Sequence, residues 1–251
     1  MIVLITGASS GFGEAMARRF VQGGHRVIAA ARRLERLESL HGELGAALLP
    51  IKLDVTDKAS IERELAGLPA AWQQIDVLVN NAGLALGVAP AHKASLADWE
   101  TMIATNITGL VTMTHFLLPG MIERGRGHII NIGSVAGNTP YPGGNTYGAT
   151  KAFVEQFTRN LRADLAGTGV RATNIAPGLC GGTEFSNVRL HGDDAGAAKV
   201  YEGTQPLTAD DIAEAAFWAA SLPSHVNINQ LEVMPVCQGY GALNVVRKSG
   251  H

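Results

Sequence analysis

Cysteine is scarce in this chain of 251 residues, which contains only Cys180 and Cys237. Two cysteines so far apart do not form the disulfide framework of a small secreted domain, and they predict free thiols in a reducing compartment. The N-terminus also lacks a basic leader and a signal-peptide cleavage site. We therefore expect a cytoplasmic protein.

Patterns that mark several other classes of protein are also missing. No uninterrupted apolar run approaches the roughly 18 residues that a membrane-spanning helix needs, so no membrane is expected. The formal net charge is -2 without a basic stripe or tail, which argues against a nucleic-acid partner. The eight histidines occur without an H-E-x-x-H spacing or a Cys/His cluster, and we expect no metal site.

Short apolar runs rich in Val, Ile and Leu are the main feature that is present. Such runs predict strands that are buried on both faces of a parallel sheet. Seven of them occur, at residues 2–5, 26–30, 48–53, 75–80, 128–132, 171–175 and 230–234. Amphipathic helical patterns lie between many of them, at residues 14–22, 56–67, 95–118, 147–165 and 210–222.

This alternation predicts an α/β protein with a single Rossmann-fold domain over residues 1–251. We expect a doubly wound parallel sheet of about seven strands with helices on both faces. Residues 178–203 depart from the alternation, because they are rich in Gly, Asp and Asn and have weak periodicity. A long irregular stretch in a compact domain favours an active-site lid. A mobile surface loop is the alternative.

A glycine-rich turn follows the first strand and opens the first helix. Its sequence is Gly7-Ala8-Ser9-Ser10-Gly11-Phe12-Gly13, a G-x-x-x-G-x-G spacing. Gly7 permits the sharp turn, and the missing Cβ atoms of Gly11 and Gly13 let a pyrophosphate and the next strand approach the backbone. The helix N-terminus adds unpaired N–H groups. The spacing alone fits a plain tight turn, and its position favours a dinucleotide site.

The end of the second strand has no carboxylate, which an NAD-binding protein would place against the ribose 2′-hydroxyl. The first acidic residue there is Glu35, and Arg32 and Arg33 precede it. Guanidinium groups suit phosphate because their planar fork gives paired, charge-assisted hydrogen bonds. With the Ser9 hydroxyl they predict a 2′-phosphate pocket, and hence NADP(H). The alternative is that both arginines begin a solvated helix face.

Tyr147 and Lys151 are four residues apart at the start of a predicted helix and therefore share one face. A lysine cation lowers the pKa of a phenol from about 10, which would make Tyr147 a general base for alcohol oxidation and a general acid for carbonyl reduction. An exposed helical pair is the alternative.

Ser134 follows the fifth strand, where ligands bind in such sheets. Asn106 is unfavourable inside a helix, which indicates a role unless it pairs with nearby backbone.

Together these residues resemble the short-chain dehydrogenases/reductases over essentially the whole chain. The resemblance implies that Tyr147 transfers the proton, Lys151 lowers its pKa and holds the nicotinamide ribose, and Ser134 orients the substrate oxygen. Asn106 would hold a water in a proton relay. The remaining cofactor contacts that it implies are Asp54 and Val55 beside the adenine, Asn80, Asn81, Ala82 and Gly83 along the ribose, and Pro177, Gly178, Thr183 and Phe185 over the nicotinamide.

A narrower resemblance is to the bacterial NADP-dependent 3-hydroxy acid dehydrogenases, also called L-allo-threonine or serine dehydrogenases. It lies in the segments 81–87, 90–95, 98–103, 181–189 and 225–229. The implied substrates are serine, L-allo-threonine, 3-hydroxyisobutyrate and 3-hydroxypropionate, with reduction of malonic semialdehyde in reverse. The chain departs from that subfamily in having Ala176 where a Glu is usual and Cys180 where an aliphatic residue is usual, which puts a preference for amino acids in doubt.

Arg189 in the expected lid is the candidate ligand for a substrate carboxylate, and a solvated lid residue is the alternative. Two other functions stay open: a general carbonyl or 3-oxoacyl reductase on the same scaffold, and a non-catalytic NADP-binding regulatory protein. The intact Ser134, Tyr147 and Lys151 argue against the second.

The resemblance implies a homotetramer, and apolar residues on several helix faces in 95–118 and 147–165 fit burial between subunits. The segment 236–246 is a further candidate contact.

Overall fold

Seven parallel strands form one sheet in the computed structural model, which describes residues 1–241. They are β1 (Ile2–Thr6), β2 (Arg26–Ala31), β3 (Leu48–Lys52), β4 (Val77–Asn80), β5 (Gly127–Ile132), β6 (Val170–Pro177) and β7 (Gln230–Val233). The strand order is β3-β2-β1-β4-β5-β6-β7. The chain builds outward from β1 to β3, then returns to β4 on the other side of β1. The predicted doubly wound sheet is confirmed, and its carboxyl edge at β1 and β4 is the ligand position of such folds.

Helices cover both faces of the sheet, as predicted. They are α1 (Gly11–Gln22), α2 (Leu34–Leu44), α3 (Lys58–Ala66), α4 (Leu96–Ile103), α5 (Leu110–Glu123), α6 (Asn145–Asp164), α7 (Phe185–Arg189), α8 (Asp194–Lys199) and α9 (Ala209–Ser221). One buried cluster joins the sheet to α1 and α9 through Met16, Phe20 and Ala216. The other joins it to α3, α5 and α6 through Ile61, Met113 and Leu161.

The predicted helix at 95–118 is interrupted and longer than expected. A π-helical segment, Ala104–Gly109, separates α4 from α5, and α5 continues through Pro119 to Glu123. The whole of Leu96–Glu123 is long and apolar enough to cross a membrane by length and composition alone, in contrast to the expectation from uninterrupted runs. Core helices of soluble proteins pass the same test, and α5 packs on β4 and β5.

The expected lid at 178–203 is more ordered than its composition predicts. It contains the short helices α7 and α8, and the side chain of Asp193 caps α8 by accepting from the Gly196 N–H at 2.9 Å. His191 lies between the two helices with a left-handed φ of 53°. The backbone of Arg189 accepts from Gly87 N at 2.8 Å, which joins the lid to the loop after β4.

Candidate active site

A cavity of about 1350 Å³ lies at the carboxyl edge of the sheet, between the strand ends and the lid. All but three of the residues predicted for the site line it. At the dinucleotide end these are Gly7, Ser9, Ser10, Gly11, Phe12, Arg32, Arg33, Asp54, Val55, Asn81, Ala82 and Gly83, and towards the lid Ser134, Tyr147, Lys151, Pro177, Gly178, Thr183, Phe185 and Arg189. The exceptions are Gly13, Asn80 and Asn106.

The glycine-rich turn leaves a cradle that side chains would fill. Gly7 has a φ of +67°, and a Cβ there would lie 3.0 Å from the Ala82 Cα. A Cβ on Gly13 would lie 2.3 Å from the Gly7 carbonyl oxygen. Ser10 precedes α1 without capping it through its side chain, so the first N–H groups of α1 are available to an anion. These features fit the pyrophosphate of a dinucleotide.

The two asparagines at the end of β4, Asn80 and Asn81, fix the backbone. Asn81 Nδ2 donates to Thr6 O at 2.8 Å, which ties the end of β4 to the glycine-rich turn. Asn80 Nδ2 donates to Thr114 Oγ1 at 3.0 Å and to Asn131 Oδ1 at 2.9 Å. The Asn80 side chain is buried and joins β4 to β5 and α5, and its expected place along the ribose stays a prediction.

Arg33 and Arg32 occupy the wall that sequence reasoning assigned to a 2′-phosphate. The Arg33 guanidinium donates to Ser10 Oγ at 2.9 Å and to Ser9 Oγ at 3.3 Å. It also forms an ion pair with Glu184 in the lid, Nη2 to Oε2 at 2.9 Å. Hydrogen bonds from Arg33, with Arg36 behind it, lower the pKa of Glu184 to about 2, so this carboxylate is charged. Sequence reasoning missed Glu184, because the contact joins positions 151 residues apart.

Tyr147 and Lys151 face one pocket from the first turns of α6. Their exposed fractions are 8% and 7%, and Lys151 Nζ lies 5.9 Å from the centroid of the Tyr147 ring. The ammonium donates to Ile132 O at 2.8 Å. Ser134 caps the short helical turn after β5, accepting from Ala136 N at 3.1 Å. The arrangement brings a phenol, a hydroxyl and an ammonium together at the sheet edge.

Burial shifts the pKa values of both Tyr147 and Lys151 in this pocket. Burial raises the pKa of Tyr147 to about 12, and the neighbouring Ser134 hydroxyl opposes this only in part. Burial also lowers the pKa of Lys151 to about 8. Desolvation disfavours the phenolate more strongly than the Ser134 hydroxyl and the charge of Arg189 favour it. The phenol holds its proton at neutral pH.

Asn106 lies in the π-helical segment with an exposed fraction of 2%. Its Oδ1 accepts from Leu84 N at 2.9 Å, and its Nδ2 donates to Leu84 O at 2.8 Å and to Thr150 Oγ1 at 3.0 Å. The Thr150 hydroxyl in turn donates to Tyr147 O. These bonds join the loop after β4 to the first turns of α6, and the role of Asn106 in a water relay stays a prediction.

Arg189 lines the cavity from α7 and is partly buried. Its guanidinium carbon lies 5.8 Å from the centroid of the Tyr147 ring and 5.3 Å from that of Tyr141. Arg189 Nη2 donates to the Tyr141 hydroxyl at 2.9 Å. Phe185 closes the same side, with its ring 5.8 Å from that of Tyr147. Sequence reasoning missed Tyr141, which lies in an irregular segment between β5 and α6.

Cys180 lines the cavity near Tyr147. Burial raises the pKa of its thiol to about 12, so the group is a neutral, weakly polar wall. Both cysteines are free, as predicted.

Comparison with known proteins agrees with this geometry. A family model described as short chain dehydrogenase matches residues 1–193. Over 248 residues the chain is 64% identical to the NADP-dependent 3-hydroxy acid dehydrogenase YdfG of Escherichia coli (strain K12), covering 99% of this chain and 100% of that protein. It is 54% identical over 247 residues to a serine 3-dehydrogenase of Rhizobium radiobacter, covering 98% of each.

A solved structure shares the fold closely. It is the closed form of a serine dehydrogenase complexed with NADP+, which superposes with a TM-score of 0.98 at 64% identity and covers 99% of this chain and 100% of the other. Since the family model spans well over half of the chain and these relatives span nearly all of it, the chain belongs to the short chain dehydrogenase family.

Proposed function

We propose that this protein is an oxidoreductase that transfers hydride between NADP(H) and a small 3-hydroxy acid or its carbonyl counterpart. One observation carries the substrate class: the Arg189 guanidinium lies 5.8 Å from the Tyr147 ring in the same cavity. A partly buried cation opposite a proton donor suits a small molecule that carries both a carboxylate and a hydroxyl group. The names of the close relatives support the same class.

The dinucleotide would lie along the sheet edge, with its pyrophosphate on the N-terminus of α1 and its 2′-phosphate at Ser9, Arg32 and Arg33. Asp54 and Val55 flank the expected adenine position, and Lys151 faces the nicotinamide ribose from α6. Pro177, Gly178, Thr183 and Phe185 cover the nicotinamide side. When bound there, NADP(H) supplies or accepts the hydride.

The proton is transferred at Tyr147 Oη. In carbonyl reduction the phenol donates its proton to the developing alkoxide, and in alcohol oxidation the phenolate accepts it. The Ser134 hydroxyl orients the substrate oxygen beside it. Lys151 places a positive charge behind the phenol, which lowers the cost of forming the anion.

The substrate end favours hydroxy acids without an amine. Among residues 1–241 the carboxylates that line the cavity are Asp54 and Glu184, and both lie on the dinucleotide side. Ala176, which stands where the related enzymes usually carry Glu, is fully buried in β6. A substrate ammonium would therefore meet Tyr141, Cys180 and backbone carbonyls but no carboxylate.

NADP+ reduction should be measured across 3-hydroxypropionate, 3-hydroxyisobutyrate, serine and L-allo-threonine. We expect turnover with NADP+ but little with NAD+, and higher kcat/KM for the two plain hydroxy acids. Tyr147→Phe is the blank. Arg189→Ala should raise KM at least tenfold for any hydroxy acid. An unchanged KM in that variant would remove the carboxylate assignment.

Two alternatives are less well supported. A general carbonyl or 3-oxoacyl reductase has no need of a guanidinium in the substrate pocket, and a preference for neutral ketones in the same assay would favour it. A non-catalytic NADP-binding protein has no need of Ser134, Tyr147 and Lys151 in one pocket. Absence of any turnover despite tight NADPH binding would revive that reading.

The proposal includes a single catalytic domain, a cytoplasmic location and a homotetramer without nucleic-acid or membrane partners. Leu96, Ile103, Phe153 and Trp218 are apolar and exposed in the single chain, which fits coverage by other subunits. Of the candidate contact 236–246, residues 242–246 lie outside the described residues, and Val236 is fully exposed. Light scattering coupled to size exclusion tests this: a monomeric mass would contradict it.

A further inference from the structure

The lid brings a carboxylate into the part of the cavity proposed for the 2′-phosphate. Glu184 immediately precedes α7 and accepts two hydrogen bonds from Arg33, Nη2 to Oε2 at 2.9 Å and Nη1 to Oε1 at 3.3 Å. The neighbouring Thr183 packs on the glycine-rich turn, since a Cβ on Gly11 would lie 3.3 Å from its Cγ2. Glu184 is therefore held against the side chain that is expected to bind the phosphate.

The hydrogen bonds of Arg33 are nearly all committed in this arrangement. A guanidinium has five N–H donors. Nε donates to Ser9 Oγ, Nη2 donates to Ser10 Oγ and to Glu184, and Nη1 donates to Glu184. These bonds use four of the five donors. A phosphate that binds Arg33 through both terminal nitrogens needs the donors that Glu184 holds.

We propose that Glu184 is a specificity-determining residue whose carboxylate competes with the dinucleotide 2′-phosphate for Arg33. This inference rests on the proposed function, because it takes Arg33 as a phosphate ligand. The competition lowers the affinity for NADP(H) below the value that the arginines alone would give. NAD(H) has no phosphate at this position and leaves the Arg33–Glu184 pair intact. The charge of Glu184 therefore reduces the ratio of the affinity for NADP(H) to the affinity for NAD(H).

Arg36 allows this competition to occur without release of the lid. It lies on α2, one turn after Arg33, and its Nη1 donates to Glu184 Oε1 at 2.8 Å. When Arg33 turns towards a phosphate, Glu184 keeps this second partner and stays close to the incoming charge. The side chains of Arg33 and Glu184 are 39% and 42% exposed, so the repulsion is partly screened by solvent and amounts to roughly a threefold to tenfold effect on affinity.

Titration calorimetry with NADPH and with NADH tests the proposal on the protein without substrate. Glu184→Gln should tighten NADPH binding about threefold to tenfold and change NADH binding less than twofold. Glu202→Gln is the matched control, because it removes the same charge from an exposed position in the same lid. It should leave both affinities unchanged. In an Arg33→Ala background the effect of Glu184→Gln on NADPH should become smaller, because the competition for Arg33 is gone and only the screened repulsion from a carboxylate held by Arg36 remains.

The contrary results are distinct. If Glu184→Gln lowers the affinities for NADPH and NADH by the same factor, Glu184 only holds the lid in place and does not interact with the phosphate. The proposal is then wrong. An unchanged NADPH affinity is equally contrary. The NADP assignment itself fails by a different pattern, in which the unaltered protein binds NADPH no more tightly than NADH and Arg33→Ala affects neither.

Discussion

Lys151 Nζ lies 5.9 Å from the centroid of the Tyr147 ring, and its ammonium donates to Ile132 O at 2.8 Å. The hydrogen bond to Ile132 holds the ammonium beside the phenol ring. Burial has opposite consequences for the two groups, since it raises the pKa of Tyr147 to about 12 and lowers that of Lys151 to about 8. The pair is a neutral phenol beside an ammonium that titrates just above neutrality.

The pH dependence of carbonyl reduction should follow Lys151. Below about pH 8 the ammonium stabilises the phenolate that forms as Tyr147 gives up its proton, and above that pH this charge is lost. We expect kcat/KM for reduction to fall up to tenfold per pH unit on the alkaline side. The measurement is the initial rate with saturating NADPH between pH 6 and pH 10.

Lys151→Arg provides the matched variant for that profile. A guanidinium keeps its charge throughout the range, so the alkaline limb should move upward by more than one pH unit even if kcat is lower. If the pH profile of kcat/KM for Lys151→Arg superposes on that of the unaltered protein, the alkaline fall is caused by the titration of a group other than Lys151.

The hydroxyl of Tyr141 should contribute to substrate binding through Arg189. It accepts from Arg189 Nη2 at 2.9 Å, and hydrogen bonds to charged groups contribute about 1.5–3 kcal/mol. Because this bond is partly exposed and only positions Arg189, part of that energy should be lost, and we expect Tyr141→Phe to raise KM for a 3-hydroxy acid roughly threefold to tenfold, with kcat within about twofold and the NADPH affinity unchanged. Equal losses in kcat and kcat/KM would indicate a role in the transition state instead.

The strands were predictable from sequence, because strands buried on both faces are continuous apolar runs, and every observed end lies within two residues of the predicted one. Helix α2 was not among the predicted helices, although Leu34, Leu37, Leu40 and Leu44 mark an apolar face. The arginines before it were interpreted as phosphate ligands, and a helix beginning there was only the alternative. The π-helical segment has no comparable periodic signal. It depends on the tertiary contacts of Asn106.

The candidate catalytic pair could be proposed from sequence because Tyr147 and Lys151 belong to a short local spacing of four residues. Glu184 and Tyr141 could not, because their importance arises from contacts with Arg33 and Arg189 that join distant segments. The effect of burial on the pKa of Tyr147 could not be predicted for a similar reason, since the sequence gives the neighbouring charge but not the degree of burial.

Asn106 should be important for stability as well as for the catalytic turn. Asn106→Ala leaves the Leu84 N–H and carbonyl and the Thr150 hydroxyl without their partner. An unsatisfied buried polar group costs about 1–3 kcal/mol, which lowers Tm by about 2–4 °C for each kcal/mol in a chain of this size. Differential scanning fluorimetry measures this shift. If Asn106→Ala keeps its Tm and lowers only kcat, the result would favour a role of Asn106 in the water relay.

Acid sensitivity should come partly from His128, which is buried in β5. Its Nε2 lies 2.7 Å from Thr173 Oγ1, and burial, reinforced by the charge of Arg171, holds its pKa well below the usual 6.5. The unfolded chain takes up a proton at this histidine below about pH 6.5, whereas the folded protein does not. The free energy of unfolding should therefore fall with pH from about 6.5 downward, by up to about 1.4 kcal/mol per pH unit from this residue.

His128→Gln removes the proton uptake and keeps a side chain able to hydrogen-bond Thr173. Urea unfolding at pH 7, 6 and 5, at one protein concentration, should give a shallower fall for this variant than for the unaltered protein. His92→Gln, on the exposed surface, controls for the loss of one histidine and should leave the slope unchanged. Parallel curves for all three proteins would mean that His128 is protonated in the folded state, against the burial and the positive charge that surround it.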